Sequence, residues 1–183
     1  QRLEPQVLAS VLEQPPESLA PSLARLCALG ILVARGQSPV YDFVHPLQQE
    51  VAYASQLRSR RRDLHARVAR ALEHVRPPPA RRAEHAWRLA HHHEQAGQRL
   101  QAAHYAAEAA SALTYVSAQE ISQRWSKVLE LLEDEHDAQA RPLRALAAGR
   151  VVYLGWRGGI SPDAVDRLIA RALDDARQID ALG

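Results

Sequence analysis

From Ala83 onward, small residues recur at helical spacing, and no other property of this chain narrows its fold so far. Ala83, Trp87 and Ala90 share one face of a helix starting at Arg82, and Leu100, Ala103, Ala107, Ala110 and Leu113 share one face of the next, with Gly97 between them. Alanine at facing positions lets two antiparallel helices approach closely, which predicts a stack of helical hairpins. A second pair follows, with Ile121, Trp125, Leu129 and Leu132 on one helix and Leu143, Ala147, Val151 and Leu154 on its partner. Gly155, Gly158 and Gly159 predict the next turn. Ser161 and Pro162 then open a last helix as N-cap and first residue, with Val165, Leu168, Leu173 and Ala176 facing inward.

The chain before Pro77-Pro78-Pro79 reads differently. Leu3, Val7, Leu8, Val11 and Leu12 predict a short helix stopped by Pro15-Pro16. Ser18 predicts a second N-cap, Pro21 falls in the first turn, and Leu19, Leu23, Leu26 and Leu29 form a stripe that Gly30 ends in the left-handed conformation. Ile31-Leu32-Val33 and Val40 to Val44, on either side of Gly36-Gln37-Ser38-Pro39, predict a two-stranded ribbon, the only β structure expected. Leu47, Val51 and Ala54 then mark one helix, and Leu64, Val68, Leu72 and Val75 another. Helix, helix and ribbon together resemble a winged helix. The fold class expected is mainly α, with a winged-helix-like module over residues 1–57 and a helical array over 58–183.

The array resembles the tetratricopeptide template, a 34-residue helical hairpin with Trp early, Leu three later, and Ala near positions 20 and 27. Trp87, Ala90, Ala103 and Ala110 occupy those offsets, but 34 residues on Asp137 takes the first Ala place, so the repeat is degenerate.

A more specific resemblance runs over residues 20–113. Leu23-x-x-Leu26-x-x-Leu29-Gly30-x-Leu32, then Tyr41-x-Phe43-x-His45-x-Leu47-x-Gln49-Glu50-Val51-Ala52-Tyr53, then Arg60-Arg61-Arg62-x-Leu64-His65-x-x-Val68-Ala69-x-x-Leu72-Glu73, are similar to the region after the ATPase core of bacterial STAND-type signalling ATPases. Leu89-Ala90-His91-His92 and Ala96-Gly97 extend the match. In such proteins a nucleotide-switch ATPase is fused to an adenylate/guanylate cyclase or to a LuxR-type DNA-binding domain. The resemblance implies a regulatory segment for signal transduction in the cytoplasm: a winged helix that meets the upstream ATPase domain of the same chain, then repeats that take a protein or small-molecule inducer. ATP or ADP belongs to the full-length protein, and transcription regulation is the alternative output. The resemblance also implies one cofactor-binding residue, His45, which would reach the β-phosphate of ADP. Unpaired N–H groups and the helix dipole favour an anion at a helix start. Pro46 departs from the acidic residue often found next. The plainer alternative is that His45 caps the helix or packs against the ribbon.

Other features point away from chemistry within this segment. His85, His91, His92 and His93 with Glu84 and Glu94 lack a His-Glu-x-x-His frame and read as a solvated helix face, so no metal is expected. Gly155-Trp156-Arg157-Gly158-Gly159 lacks the Lys-Ser/Thr of a phosphate loop and reads as a turn. Cys27, the single cysteine, reads as a small core residue and permits no internal disulfide. No catalytic constellation is found, and the isolated chain is expected to hydrolyse nothing. The chain carries 23 basic against 21 acidic residues, with Lys127 the single lysine, so charge does not argue for nucleic acid. Arginines crowd between Arg58 and Arg88, yet the would-be recognition helix, Leu19 to Leu29, offers Arg25 alone to a base edge. The longest apolar stretch, Cys27 to Ala34, is too short for a bilayer. Gln1 in place of an initiator, and the absence of methionine, suggest a piece of a longer protein.

Overall fold

A computed structural model of the chain describes residues 3–36, 40–113, 117–155 and 160–180. It is mainly helical with a short two-stranded antiparallel sheet. The chain divides into two compact units, Gln1–Val75 and Arg76–Gly183.

In the first unit α1 spans Pro5–Leu12, α2 Pro16–Ala28, α3 Pro46–Ala54 and α4 Arg58–Glu73, with β1 at Leu32–Arg35 and β2 at Val40–Phe43. Ala9, Leu19, Leu23 and Leu32 form its core, with Leu3, Leu8, Leu26, Cys27, Ile31, Tyr41 and Phe43 packed around them. Gly30 ends α2 at φ +66, and Ile31 N–H to Leu26 C=O and Gly30 N–H to Cys27 C=O complete the expected left-handed cap. The strands pair Leu32 with Phe43 and Arg35 with Val40, and Arg35 meets Asp42 at 3.0 Å. The turn predicted at residues 37–39 lies outside the described residues.

Four expectations change here. Leu3 belongs to no helix: its N–H and C=O pair with Tyr41, adding a bridge to the ribbon. The second helix starts at Pro16, so Ser18 lies inside its first turn, where its hydroxyl donates to Pro15 C=O at 2.8 Å. Pro21 consequently sits in the helix interior, where it leaves the Glu17 carbonyl without the usual N–H partner. The unit also extends past the expected boundary at residue 57, because α4 packs on α1 and Arg67 pairs with Glu13 at 2.8 Å. Glu13 itself ends α1 at φ 55, a conformation that favours glycine.

The second unit opens with a 3-10 turn, Pro79–Arg81, and continues as α5 Arg82–Gln95, α6 Arg99–Ser111, α7 Ala118–Leu131, α8 Ala140–Gly155 and α9 Pro162–Asp180. Each helix packs on its successor, as a chain of hairpins requires. Helix α6 buries Ala102, Ala103, Ala106, Ala107, Ala109 and Ala110, so alanine covers far more of its surface than one stripe. Trp125 is 3% exposed, among Val128, Leu131, Leu132, Leu143, Ala147 and Val151. Gly97 (φ +79) closes α5 through Gln98 N–H to His93 C=O. The S-x-x-E run Ser117 to Glu120 opens α7, with Ser117 Oγ accepting from the Glu120 N–H at 3.1 Å. On α9, Val165 and Leu168 are half-buried as expected, but Leu173 and Ala176 face solvent and Asp175 is buried in their place.

The C-terminal end of α7 is held by arginines from three other helices. Arg99 donates to the carbonyls of Glu130 (2.8 Å) and Leu131 (2.9 Å), Arg144 to those of Leu132 (3.3 Å) and Glu135 (2.8 Å), and Arg171 to that of Glu133 (2.7 Å). Carbonyls left over at a helix end carry the negative pole of the dipole, and guanidinium groups satisfy both needs. Arg144 also makes a bidentate bond to Asp175, with Nε to Oδ2 at 2.7 Å.

Candidate functional site

His45 is the N-cap of α3, with an extended backbone at φ −122, ψ 128. Its carbonyl accepts from Gln48 N–H at 3.0 Å, its side chain makes no capping bond, and the residue is exposed. Pro46, with its φ preset for a helix and no N–H to leave unpaired, starts the first turn.

The helix behind His45 is turned inside out. Val44, Leu47, Val51 and Ala54 follow one another at intervals of three and four, which puts them on one face, and all are exposed, Leu47 at 67% and Val51 at 61%. Leu57 just beyond is exposed at 76%. The face turned to α4 is polar instead. The Tyr53 hydroxyl meets His65 Nε2 at 3.2 Å, the two rings are edge to face, and the Arg61 guanidinium lies 4.9 Å from the Tyr53 ring centre. Gln48 Oε1 and Arg61 Nε are buried without a hydrogen-bond partner. The stripe read as the core of this helix therefore faces outward. Periodicity correctly identifies an apolar face but carries no information about which neighbour covers it.

In the second unit a groove of about 600 Å3 runs along α7 beside Trp87 of α5. Arg124 stacks its guanidinium 4.2 Å from the Trp87 ring centre. Lys127 is bound by Glu94 at 2.8 Å and Glu130 at 2.7 Å. Burial works against the Lys127 charge, but the hydrogen bonds to Glu130 and Glu94 outweigh it and hold the ammonium pKa above its ordinary value. A smaller pit of about 50 Å3 opens beside the groove, lined by Trp87, Ala90, Ala106 and Leu131, with His91, Glu94 and Lys127 also at its wall. Trp87, expected in the core, is half-buried and borders both cavities. Sequence reasoning missed this site, although Trp87, His91 and Glu94 on α5 and Glu120, Arg124 and Lys127 on α7 each follow helical spacing.

The histidine cluster is not uniformly solvated. His93 is buried, its Nδ1 is 2.7 Å from Gln98 Oε1, and its ring stacks on Tyr105, which makes it part of the hairpin's packing. His91 is exposed and meets His92 edge to face. Among the described residues no group of three His, Cys, Asp or Glu could hold a metal ion. No described helix is long and apolar enough to cross a membrane. Cys27 is half-buried against the first unit's core. Of the glycine-rich turn, Gly155 is buried and residues 156–159 lie outside the described residues. Compared with protein-family models, curated proteins and solved structures, the chain matches none.

Proposed function

We propose that this chain is a non-catalytic regulatory segment of a STAND-type signalling ATPase: a winged-helix-like unit that docks on the ATPase core, then a tetratricopeptide-like array that binds a protein or inducer. The observation carrying this reading is the combination at α3, where an exposed His45 stands at the head of a helix whose apolar face is uncovered. A docking helix needs an apolar face to bury and, if it reports on nucleotide, a polar group at its phosphate-facing end. Both requirements meet on this one element. The reading assigns α3 to the ATPase interface and His45 to the ADP β-phosphate, with the effector, a nucleotide cyclase, elsewhere in the protein.

DNA contact through α2 has less support. Its exposed positions are largely proline, alanine and serine, with Glu17 and Arg25 the charged ones, and phosphate or base-edge contact needs more than that.

Measuring ADP dissociation from the full-length protein with and without His45→Ala tests the reading. Loss of one charge-assisted hydrogen bond should weaken ADP retention by about 1.5–3 kcal/mol and raise basal output. The same substitution should change the stability of the present chain by less than about 0.5 kcal/mol, as for other exposed sites. Unaltered ADP binding would remove His45 from the mechanism.

A further inference from the structure

Helix α9 covers one face and holds another outward. Val165, Leu168, Ala172, Asp175 and Ile179 recur at intervals of three and four, and all are buried or half-buried. Two polar bonds fix the rotation of the helix about its axis. Asp175 takes the Arg144 guanidinium, with Nε to Oδ2 at 2.7 Å, and Arg171 donates to the Glu133 carbonyl at 2.7 Å. Rolling α9 to hide more apolar surface would break both bonds and strand the charges of Arg144 and Asp175. The face this leaves in solvent carries Ile169, 43% exposed, and Leu173, 52% exposed, with exposed Ala170 and Ala176 beside them. At 100° per residue these four, with Asp166 and Arg177, fill a sector of about 120°, the width of a helix face that packs on a neighbour.

The charges of that sector are sorted by end. Asp166 stands one turn before Ile169 and Arg177 one turn after Leu173, so the two lie about 16 Å apart on one face. Both are exposed, and among the described residues neither is ion-paired. An acid at one end and a base at the other answer each other when a second such helix runs antiparallel, and set like against like when it runs parallel. A two-fold axis crossing α9 between Arg171 and Ala172 places each Asp166 opposite the second copy's Arg177. The same axis brings each Ile169 within one residue of the second copy's Leu173, with Ala170 small enough to let the helices close. Arg171 adds no cation to this seam, because it is engaged at Glu133. An anionic membrane fits less well, since the sector has no excess of basic residues at its border.

We propose that the outward face of α9 is a self-association surface, on which a second copy of this chain seats its own α9 antiparallel, with Ile169 and Leu173 as the apolar seam and Asp166–Arg177 pairs at both ends. The seam runs about three turns, less than the interface of a tight dimer, so the association is weak and depends on concentration. The inference goes beyond the proposed function and stands on α9 alone.

Sedimentation equilibrium of the whole chain tests it. The average mass should climb from that of the monomer towards twice that value between about 10 μM and about 1 mM. Leu173→Lys, at an exposed position, should leave the circular dichroism unchanged and hold the mass at the monomer value throughout. Charge reversal reads the register. Asp166→Arg alone and Arg177→Asp alone should each associate about tenfold more weakly than the parent, because both end contacts of either dimer then join like charges. An equimolar mixture of these two variants should regain the strength of the parent, since each contact between unlike copies again joins an acid to a base. A chain that stays monomeric at about 1 mM, association that survives Leu173→Lys, or a mixture no stronger than its components would overturn the proposal.

Discussion

Removing the Asp175 carboxylate would strand Arg144, whose side chain is 11% exposed against 4% for its partner, with an unanswered charge inside the second unit. The bond to Asp175 holds the Arg144 pKa above its ordinary value, and once that bond is gone the guanidinium still keeps its proton, because an arginine's ordinary pKa already lies far above neutral pH. Asp175→Ala should therefore destabilise the chain by about 3–5 kcal/mol in denaturant unfolding, as breaking one side of a buried pair does. Lys127 gives the pH-dependent counterpart. Its raised pKa means that the ion-pair contribution is complete below the unfolded lysine value, about 10.4, and is lost as pH climbs through the higher folded value. The stability gap between the parent and Lys127→Met should be about 1 kcal/mol at neutral pH and should close above pH ~10.4. Trp87 and Trp125 separate in the same kind of measurement. Trp125→Ala should cost about 3–5 kcal/mol as a core truncation, whereas half-buried Trp87 should cost about 2 kcal/mol. A full core cost at Trp87 would mean that the indole is not the wall of an open groove.

At the scale of elements, α3 and α7 show what helical periodicity can and cannot determine. Both present apolar residues at intervals of three and four, yet α7 buries Trp125, Val128 and Leu131 while α3 buries nothing. Leu47→Lys together with Val51→Glu should accordingly leave the unfolding midpoint of this chain within about 0.5 kcal/mol of the parent. Val128→Glu should abolish folding, because its side chain has no solvent to reach and no partner. On the proposed reading of α3 as a docking helix, the same pair should weaken its attachment to an ATPase core in a full-length protein, measurable as increased protease sensitivity at the first unit. The helices themselves were legible because glycine, proline and apolar spacing are local signals: Gly30, Gly97 and Ser161-Pro162 mark ends and starts where the structure has them. Long-range polar pairing was not. Nothing near Arg99, Arg144 or Arg171 in sequence indicates that all three converge on the end of α7, and an arginine-rich composition hides three specific ligands among many solvated ones. The groove at Trp87 was obscured for a related reason, since tryptophan at a core-like offset reads as core until a neighbouring helix leaves its edge uncovered.

Over the whole molecule, the division after Val75 follows from α4 packing on α1, a contact between residues some fifty positions apart that local patterning cannot supply. Within the second unit, each helix meets the next through α6-like alanine surfaces or through the Trp125 core. The alanines of α6 have a consequence for motion. A leucine or methionine at an interface can change rotamer and absorb a small displacement of its neighbour, but alanine has no χ angle to turn. Ala102, Ala103 and Ala106 are fully buried, so at these positions α6 offers its neighbours no side chain that can turn. A displacement of α6 therefore cannot be absorbed at these alanines and has to be taken up by the helix as a body or by the larger side chains of α7 and α8 that share its core.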